Sequence, residues 1–376
     1  MKVPFNRPTI APNQLEYVNQ SFSGGHLSGD GPFTARASKI LSEIHNGSKV
    51  LLTTSCTSAL ELSALLLDLK PGDEVIVPSF TFVSSANAFV IMGATIVFAE
   101  VEPDTFSIST WTVEKLITPR TKAIVAVNYG GHPSVTDELV ALAAHHDIMI
   151  IEDNAHGLFA SVEGLPLGTK SALSTLSFHE TKNITCGEGG ALVINDPSLI
   201  ERAEIIREKG TNRSLFFRGM IDKYTWVDKG SSYLMSDINA AVLTAQLEHA
   251  EVIQQRRHQA FQAYMEGLSD WADKIGAQLP HHLAREDRPA HLFPILMPTL
   301  DSRSELIESA KKQDVYFTFH YVPLHHSPGG KKFGVSSGSF TTTERISDTL
   351  LRLPLFSDMN VHDINRVLEV LTKFGS

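Results

Sequence analysis

The chain has 376 residues, 42% of them hydrophobic and 20% charged, which is the composition of an ordinary globular protein long enough for two domains. A formal net charge of −10 argues against nucleic acid or an anionic membrane as the main partner, so an anionic ligand has to be met by a local basic site. Cys56 and Cys186 are too few for a disulfide framework, and neither they nor the His145-His146 and His325-His326 pairs have metal-ligand spacing. No metal site is therefore expected. With no apolar signal core and no run of about 18 apolar residues, the expectation is a cytoplasmic protein that inserts in no membrane.

Strand and helix signals alternate through the first two thirds, the α/β pattern of a mostly parallel sheet covered by helices. Residues 60–69 read as an apolar helix stopped by Pro71-Gly72, 74–77 as a buried strand closed by Pro78, and 82–92 as a helix ending at Gly93. Strands follow at 95–101 and 123–128, then a helix over 135–146 with Ser134 as its N-cap and Asp137 in its first turn. Two more strands, 148–152 and 172–179, come next, and a helix over 198–209. Residues 210–232 have no clean period but are dense in Arg, Lys and aromatics. A loop of that length in a compact domain is usually functional or at an interface. One long helix is expected from Ser236-Asp237 to about Leu268, small and apolar early and polar later, bridging a large domain (1–245) to a smaller one (246–376). The smaller one reads as α+β, with strands at 291–297, 315–322 and 351–356, a helix over 302–313 and a terminal helix from Val361.

The chemistry is concentrated at strand ends. Lys182, in Ser177-Phe178-His179-Glu180-Thr181-Lys182-Asn183, falls where a strand gives way to a loop, followed by Gly187-Glu188-Gly189-Gly190. The apolar run 148–151 delivers Asp153 to another strand end. A lysine and an aspartate so placed are what pyridoxal phosphate needs: the lysine forms the Schiff base, and the aspartate keeps the ring nitrogen protonated. Thr54-Ser55-Cys56-Thr57-Ser58-Ala59 precedes an apolar helix, whose free N–H groups and dipole favour an anion.

These residues, with the runs 177–183, 204–219, 222–226 and 230–237, carry a resemblance that covers almost the whole chain, from Leu27-Ser28-Gly29-Asp30-Gly31 to Leu353-Pro354-Leu355. The chain resembles the fold-type I, pyridoxal phosphate-dependent sugar aminotransferases of the DegT/DnrJ/EryC1/StrS family. Within that family it is most similar to the branch that makes dTDP-4-amino-4,6-dideoxygalactose for enterobacterial common antigen. The resemblance implies an aspartate aminotransferase-like fold, a large mostly parallel sheet domain plus a smaller α+β domain. Lys182 would be the catalytic lysine. Cys56 (where the family commonly has glycine), Thr57 and Ser177 would hold the cofactor phosphate, Phe82 would stack on the ring, and Asp153 and His156 would face its nitrogen and hydroxyl. Ser232 would reach the phosphate of a partner subunit's cofactor, with a shorter arm than the family's usual asparagine.

By the same resemblance His320, Tyr321 and His325 would contact the sugar, and Tyr129 and His179, the latter a histidine that recurs in the family three positions before the lysine, are further candidates. Arg213 and Arg218, in a segment that also carries Phe216, Phe217 and Trp226, have the residue types of interfaces and phosphate recognition. Hence a homodimer with shared active sites is expected. The implied reaction moves an amino group from L-glutamate to dTDP-4-dehydro-6-deoxy-D-glucose, with the galacto product favoured. A pyridoxamine-dependent nucleotide-sugar dehydratase of the same fold is an alternative that Lys182 argues against, since that branch has histidine there. A non-catalytic cofactor-binding regulator is the other alternative.

Overall fold

The computed structural model describes residues 2–375. Its central sheet has eight strands: β1 (Lys49–Thr53), β2 (Glu74–Pro78), β3 (Thr95–Ala99), β4 (Thr121–Val127), β5 (Met149–Asp153), β6 (Leu173–Ser177), β7 (Gly190–Ile194) and β8 (Gly334–Ser336). They lie in the order β1-β7-β6-β5-β4-β2-β3-β8. β7 runs antiparallel to both β1 and β6, and all other neighbours are parallel.

Helices cover both faces, so the strands are buried on both sides and read as continuous apolar runs. β4 shows why: Val125 and Val127 enter one core with Leu62, Val75 and Phe89, while Ile124 and Ala126 enter another with Leu139 and Ile150. A third core packs Leu52, Leu176 and Val193 against Phe33, Leu41 and Leu243. The parallel register brings the carboxyl ends of β5 and β6 side by side, with Asp153 opposite Thr175. In open α/β sheets ligands bind outside those ends.

A separate core gathers Phe261, Tyr264, Leu268 and Trp271 from the helix Ala250–Ile275, a stripe at helical spacing, with Phe293, Ile295, Leu351, Val367 and Leu371. Val3 joins it, its N–H donating to Asp314 O at 2.8 Å, so the chain's first residues pack with its last third. β8 crosses the other way and pairs with β3.

Three local expectations fail. The long helix is two, Asp237–Glu248 and Ala250–Ile275, broken at His249. The first is buried almost all round and the second along one stripe, and the break lets each present its own face. Residues 315–322 form no strand; they make single bridges at Val315 and Thr318, and Tyr321 adopts φ 47°, which ends any extended run. The helix after β4 is Asp137–His145, capped by Thr136, whose Oγ1 accepts from Leu139 N. Ser134 instead donates its hydroxyl to Asn128 Oδ1 at 2.6 Å. Two N-terminal helices, Gln14–Gly24 and Pro32–Ile44, also lie outside the sequence reading.

Candidate active site

A cavity of about 490 Å³ opens beyond the carboxyl ends of β5 and β6, between the sheet and the last third of the chain. Its walls bring together Cys56, Thr57, Phe82, Asp153, His156, Ser177, Lys182, His320 and Tyr321, nine residues that the sequence had nominated from five separate stretches. His179 is also in the wall.

Lys182 is the centre of this arrangement. Its amine has no hydrogen bond or ion pair among the described residues. Burial pulls its pKa down to about 8, against the opposing pull of Cys56 and Asp153. About a tenth of such an amine is neutral, and so nucleophilic, at pH 7. Asp153 is fully enclosed: Ser85 Oγ donates to Oδ2 at 2.6 Å and Ala155 N–H to Oδ1 at 3.2 Å. Burial pushes its carboxyl up, with only the two hydrogen bonds and Lys182 in opposition, so a cation placed against it gains a strong partner.

The anion end is built by the helix Cys56–Leu66. Ser55 caps it, its Oγ accepting Ser58 N at 3.0 Å, which leaves the first N–H groups, those of Cys56 and Thr57, for a ligand. Gly190 opens β7 directly against this turn; a Cβ there would strike the backbone of Ser55 and Cys56, so the close approach requires glycine. Thr57 Oγ1 lies 2.8 Å from Ser84 Oγ, and Ser177 Oγ has no hydrogen bond among the described residues. The side chain of Cys56 fits: it turns inward to within 3.5 Å of Thr175 Oγ1, and burial lifts its thiol to about 12, keeping it protonated.

His156 receives Gly130 N–H on Nδ1 at 3.3 Å, so its remaining proton sits on Nε2. Burial, with help from the charges of Lys182 and Arg352, holds it neutral. Above it Tyr129 and His320 share a hydrogen bond of 2.9 Å, and Tyr321 packs on Phe80 and near Phe82, with centroids 5.4 and 6.4 Å apart. Phe82, 57% exposed, stands at the rim.

Four nominated residues do not line this cavity. His325 turns away to Ser79, its Nδ1 2.6 Å from Ser79 Oγ, and stacks on Phe340 at 4.1 Å. Ser232 is exposed and bridges to Glu208. Arg213 pairs with Glu208 at 3.1 Å and Arg218 with Glu204 at 2.7 Å. Sequence reasoning missed Ser85, His291 and Arg352. Ser85 carries a weak signal, one helical turn beyond Phe82; the other two come from distant loops and a strand end, with no periodic mark.

The comparisons agree with this geometry. Residues 8–372 match the DegT/DnrJ/EryC1/StrS aminotransferase family. An uncharacterized protein of Methanocaldococcus jannaschii is 32% identical over 99% of this chain and 97% of its own. Among solved structures, the aminotransferase TlmJ of Streptoalloteichus hindustanus is 28% identical with a TM-score of 0.90, covering 99% of this chain and 98% of that one. Bacillus subtilis NtdA, solved with bound pyridoxamine phosphate, is 26% identical with a TM-score of 0.87 over 99% and 85% of the two chains. The unpartnered Lys182, the enclosed Asp153 and the free helix N-terminus fit pyridoxal phosphate as cofactor, and the fold is the α/β fold of type I. The chain belongs to the DegT/DnrJ/EryC1/StrS aminotransferase family, a pyridoxal phosphate-dependent aminotransferase.

Proposed function

We propose that this enzyme transfers the amino group of L-glutamate to the 4-keto carbon of dTDP-4-dehydro-6-deoxy-D-glucose, giving dTDP-4-amino-4,6-dideoxygalactose. The observation that carries the reading of the site is the enclosure of Lys182 and Asp153, each without a charged partner in contact, in one cavity with the Cys56–Leu66 helix N-terminus. When bound, pyridoxal phosphate supplies a carbonyl to carry the amino group and a ring to hold the electrons released at carbon. The chain's residues do the rest. Lys182 would hold the cofactor and, when free, its neutral amine would take up the proton lost from the substrate carbon. Asp153 keeps positive charge on the ring nitrogen. Cys56 N–H, Thr57 N–H and Ser177 Oγ would receive the phosphate, His156 Nε2–H would serve the ring oxygen, and Phe82 would cover the ring.

The choice of sugar rests on the motif runs 177–183 and 204–219, which are worded as in the common-antigen branch. His320 and Tyr321, in the cavity wall, are the proposed sugar contacts. A homodimer with shared sites is part of the proposal. Phe217, Met220, Tyr224 and Trp226 are 51–79% exposed, an apolar surface suited to a second copy, and Ser232, Arg213 and Arg218 would act at or near that boundary. Among the described residues no helix is long and apolar enough to cross a membrane, and we place the enzyme in the cytoplasm.

Incubation of the holoenzyme with L-glutamate and the 4-keto sugar nucleotide, followed by proton NMR, tests the proposal. An axial amine at C4 is expected. An equatorial amine would refute the galacto assignment, and no amination of this sugar, with one glutamate per site still converted to 2-oxoglutarate, would refute the substrate.

A further inference from the structure

His325, His326 and Glu344 meet outside the wall of the Lys182 cavity, and none of the three takes part in the chemistry described above. The two histidines end the turn Leu324–His326, and Glu344 lies in the first turn of the helix Thr341–Thr349. Adjacent histidines offer two ligands at most, so their spacing alone signals no metal site. The fold supplies the third group from a separate helix.

One ligand atom of each side chain lies within 4.8 Å of the other two. Glu344 Oε1 is 3.4 Å from His325 Nε2 and 3.1 Å from His326 Nε2. Ligands held about 2.0–2.1 Å from a tetrahedral zinc ion stand about 3.3 Å apart, the edge of the tetrahedron. Both measured edges match it. Two imidazoles and a carboxylate suit zinc and its transition-metal neighbours, whereas magnesium and calcium take oxygen ligands.

The surroundings orient these groups. Ser79 Oγ sits 2.6 Å from His325 Nδ1 and accepts His325 N–H at 3.3 Å, and the Phe340 ring stacks on the imidazole at 4.1 Å. This is the support that a metal-binding histidine needs: one ring nitrogen is occupied and the other is aimed. The His325 side chain is 7% exposed, while those of His326 and Glu344 are 52% and 42% exposed, so an ion can enter from solvent and keep a water. Glu100 adds negative charge without competing as a ligand. Its carboxylate accepts Thr342 N–H at 3.0 Å and Thr343 N–H at 2.9 Å, at the start of the same helix.

We infer that His325 Nε2, His326 Nε2 and a carboxylate oxygen of Glu344 bind one zinc-class divalent cation, with water as its fourth ligand. The ion joins the turn to the helix. Between these two elements the chain makes the excursion that carries β8 across to β3, and the ion clamps that excursion at its neck. Its role is structural, since none of the three ligands lines the cavity. An ion that binds only the folded chain stabilises it.

The test uses the full-length holoenzyme, made without a histidine tag and stripped of metal with EDTA. Zn²⁺ should bind at one ion per chain by titration calorimetry, and should raise the melting temperature as free zinc increases. Co²⁺ should bind at the same stoichiometry, with the intense visible absorption of tetrahedral coordination. His326→Ala and Glu344→Gln, both at exposed positions, should each weaken zinc binding on the order of 100-fold or more, beyond the loss that an outer-shell partner causes. His145→Ala, in the other adjacent pair, should leave binding unchanged. Excess Mg²⁺ or Ca²⁺ should not displace the zinc. No binding by the wild-type protein, or zinc held as tightly by either variant as by wild type, would overturn the inference. A loss in His145→Ala as large as that in His326→Ala would also overturn it, by showing adventitious capture on surface histidines. Displacement by magnesium or calcium would do the same, by showing an oxygen site elsewhere.

Discussion

The charges around Lys182 and those of the 204–229 region are arranged in opposite ways. In the second region the acids are answered: Glu204 is held by Lys49 at 2.9 Å and Arg218 at 2.7 Å, Glu208 by Lys209 and Arg213, and Asp228 by Arg202. In the cavity Lys182, Asp153 and Arg352 are enclosed and none forms an ion pair among the described residues. Paired charges fix a loop on its scaffold and contribute little elsewhere. Charges kept apart at a cost in stability are poised for something that binds. The same residue types thus do architecture in one place and chemistry in the other.

The largest effect that can break this contrast is at Lys182. Lys182→Ala should lower turnover by at least about 10⁴-fold, since it removes both the covalent anchor and the proton carrier. The variant should stay folded, because its amine has no native bond to lose, and should still hold the cofactor without a covalent link. Asp153→Asn comes next. It keeps the shape but removes the charge, and on the order of 100- to 1,000-fold of the rate should go with it. Near wild-type activity would mean that the ring's partner lies elsewhere.

The pH dependence sharpens the comparison at a smaller scale. Lys182 is depressed in the fold to about 8 from an ordinary 10.5. The folded apoprotein thus binds fewer protons than the unfolded chain between these values, and its stability should rise with pH across that window. Covalent capture of added pyridoxal phosphate by the apoprotein needs the neutral amine. Its rate should climb about tenfold per pH unit below 8 and level off above. A climb continuing to pH 10 would show an amine that the fold does not perturb.

Arg218→Ala should have the smallest effect on stability, less than about 1 kcal/mol by urea denaturation, because the arginine is half-exposed and Lys49 remains on Glu204. Its effect on activity separates two roles. If sites are shared, mixing inactive Arg218→Ala and Lys182→Ala chains restores activity in hybrid dimers. Proven subunit exchange with no recovery would make this segment a scaffold alone.

Much of this was legible before the fold. Strand ends deliver Asp153 and Ser177 because apolar runs ending in polar residues mark the edge of a buried sheet, and the 54–59 segment reads as a helix start. The order of the strands was not legible, since parallel pairing depends on crossovers rather than local pattern. Nor was the place of Arg352 in the cavity wall, which becomes visible only once its neighbours are in place. The 315–322 segment misled because alternation promised a strand, while Tyr321 takes a left-handed turn that carries its ring into the cavity wall.

The most direct measurement is to add pyridoxal phosphate to the protein, reduce with borohydride and map the labelled peptide by mass spectrometry. The cofactor should be found on Lys182, in stoichiometric yield, and absent from Lys170 and Lys209. A label on any other lysine, or none on Lys182, would contradict the central assignment.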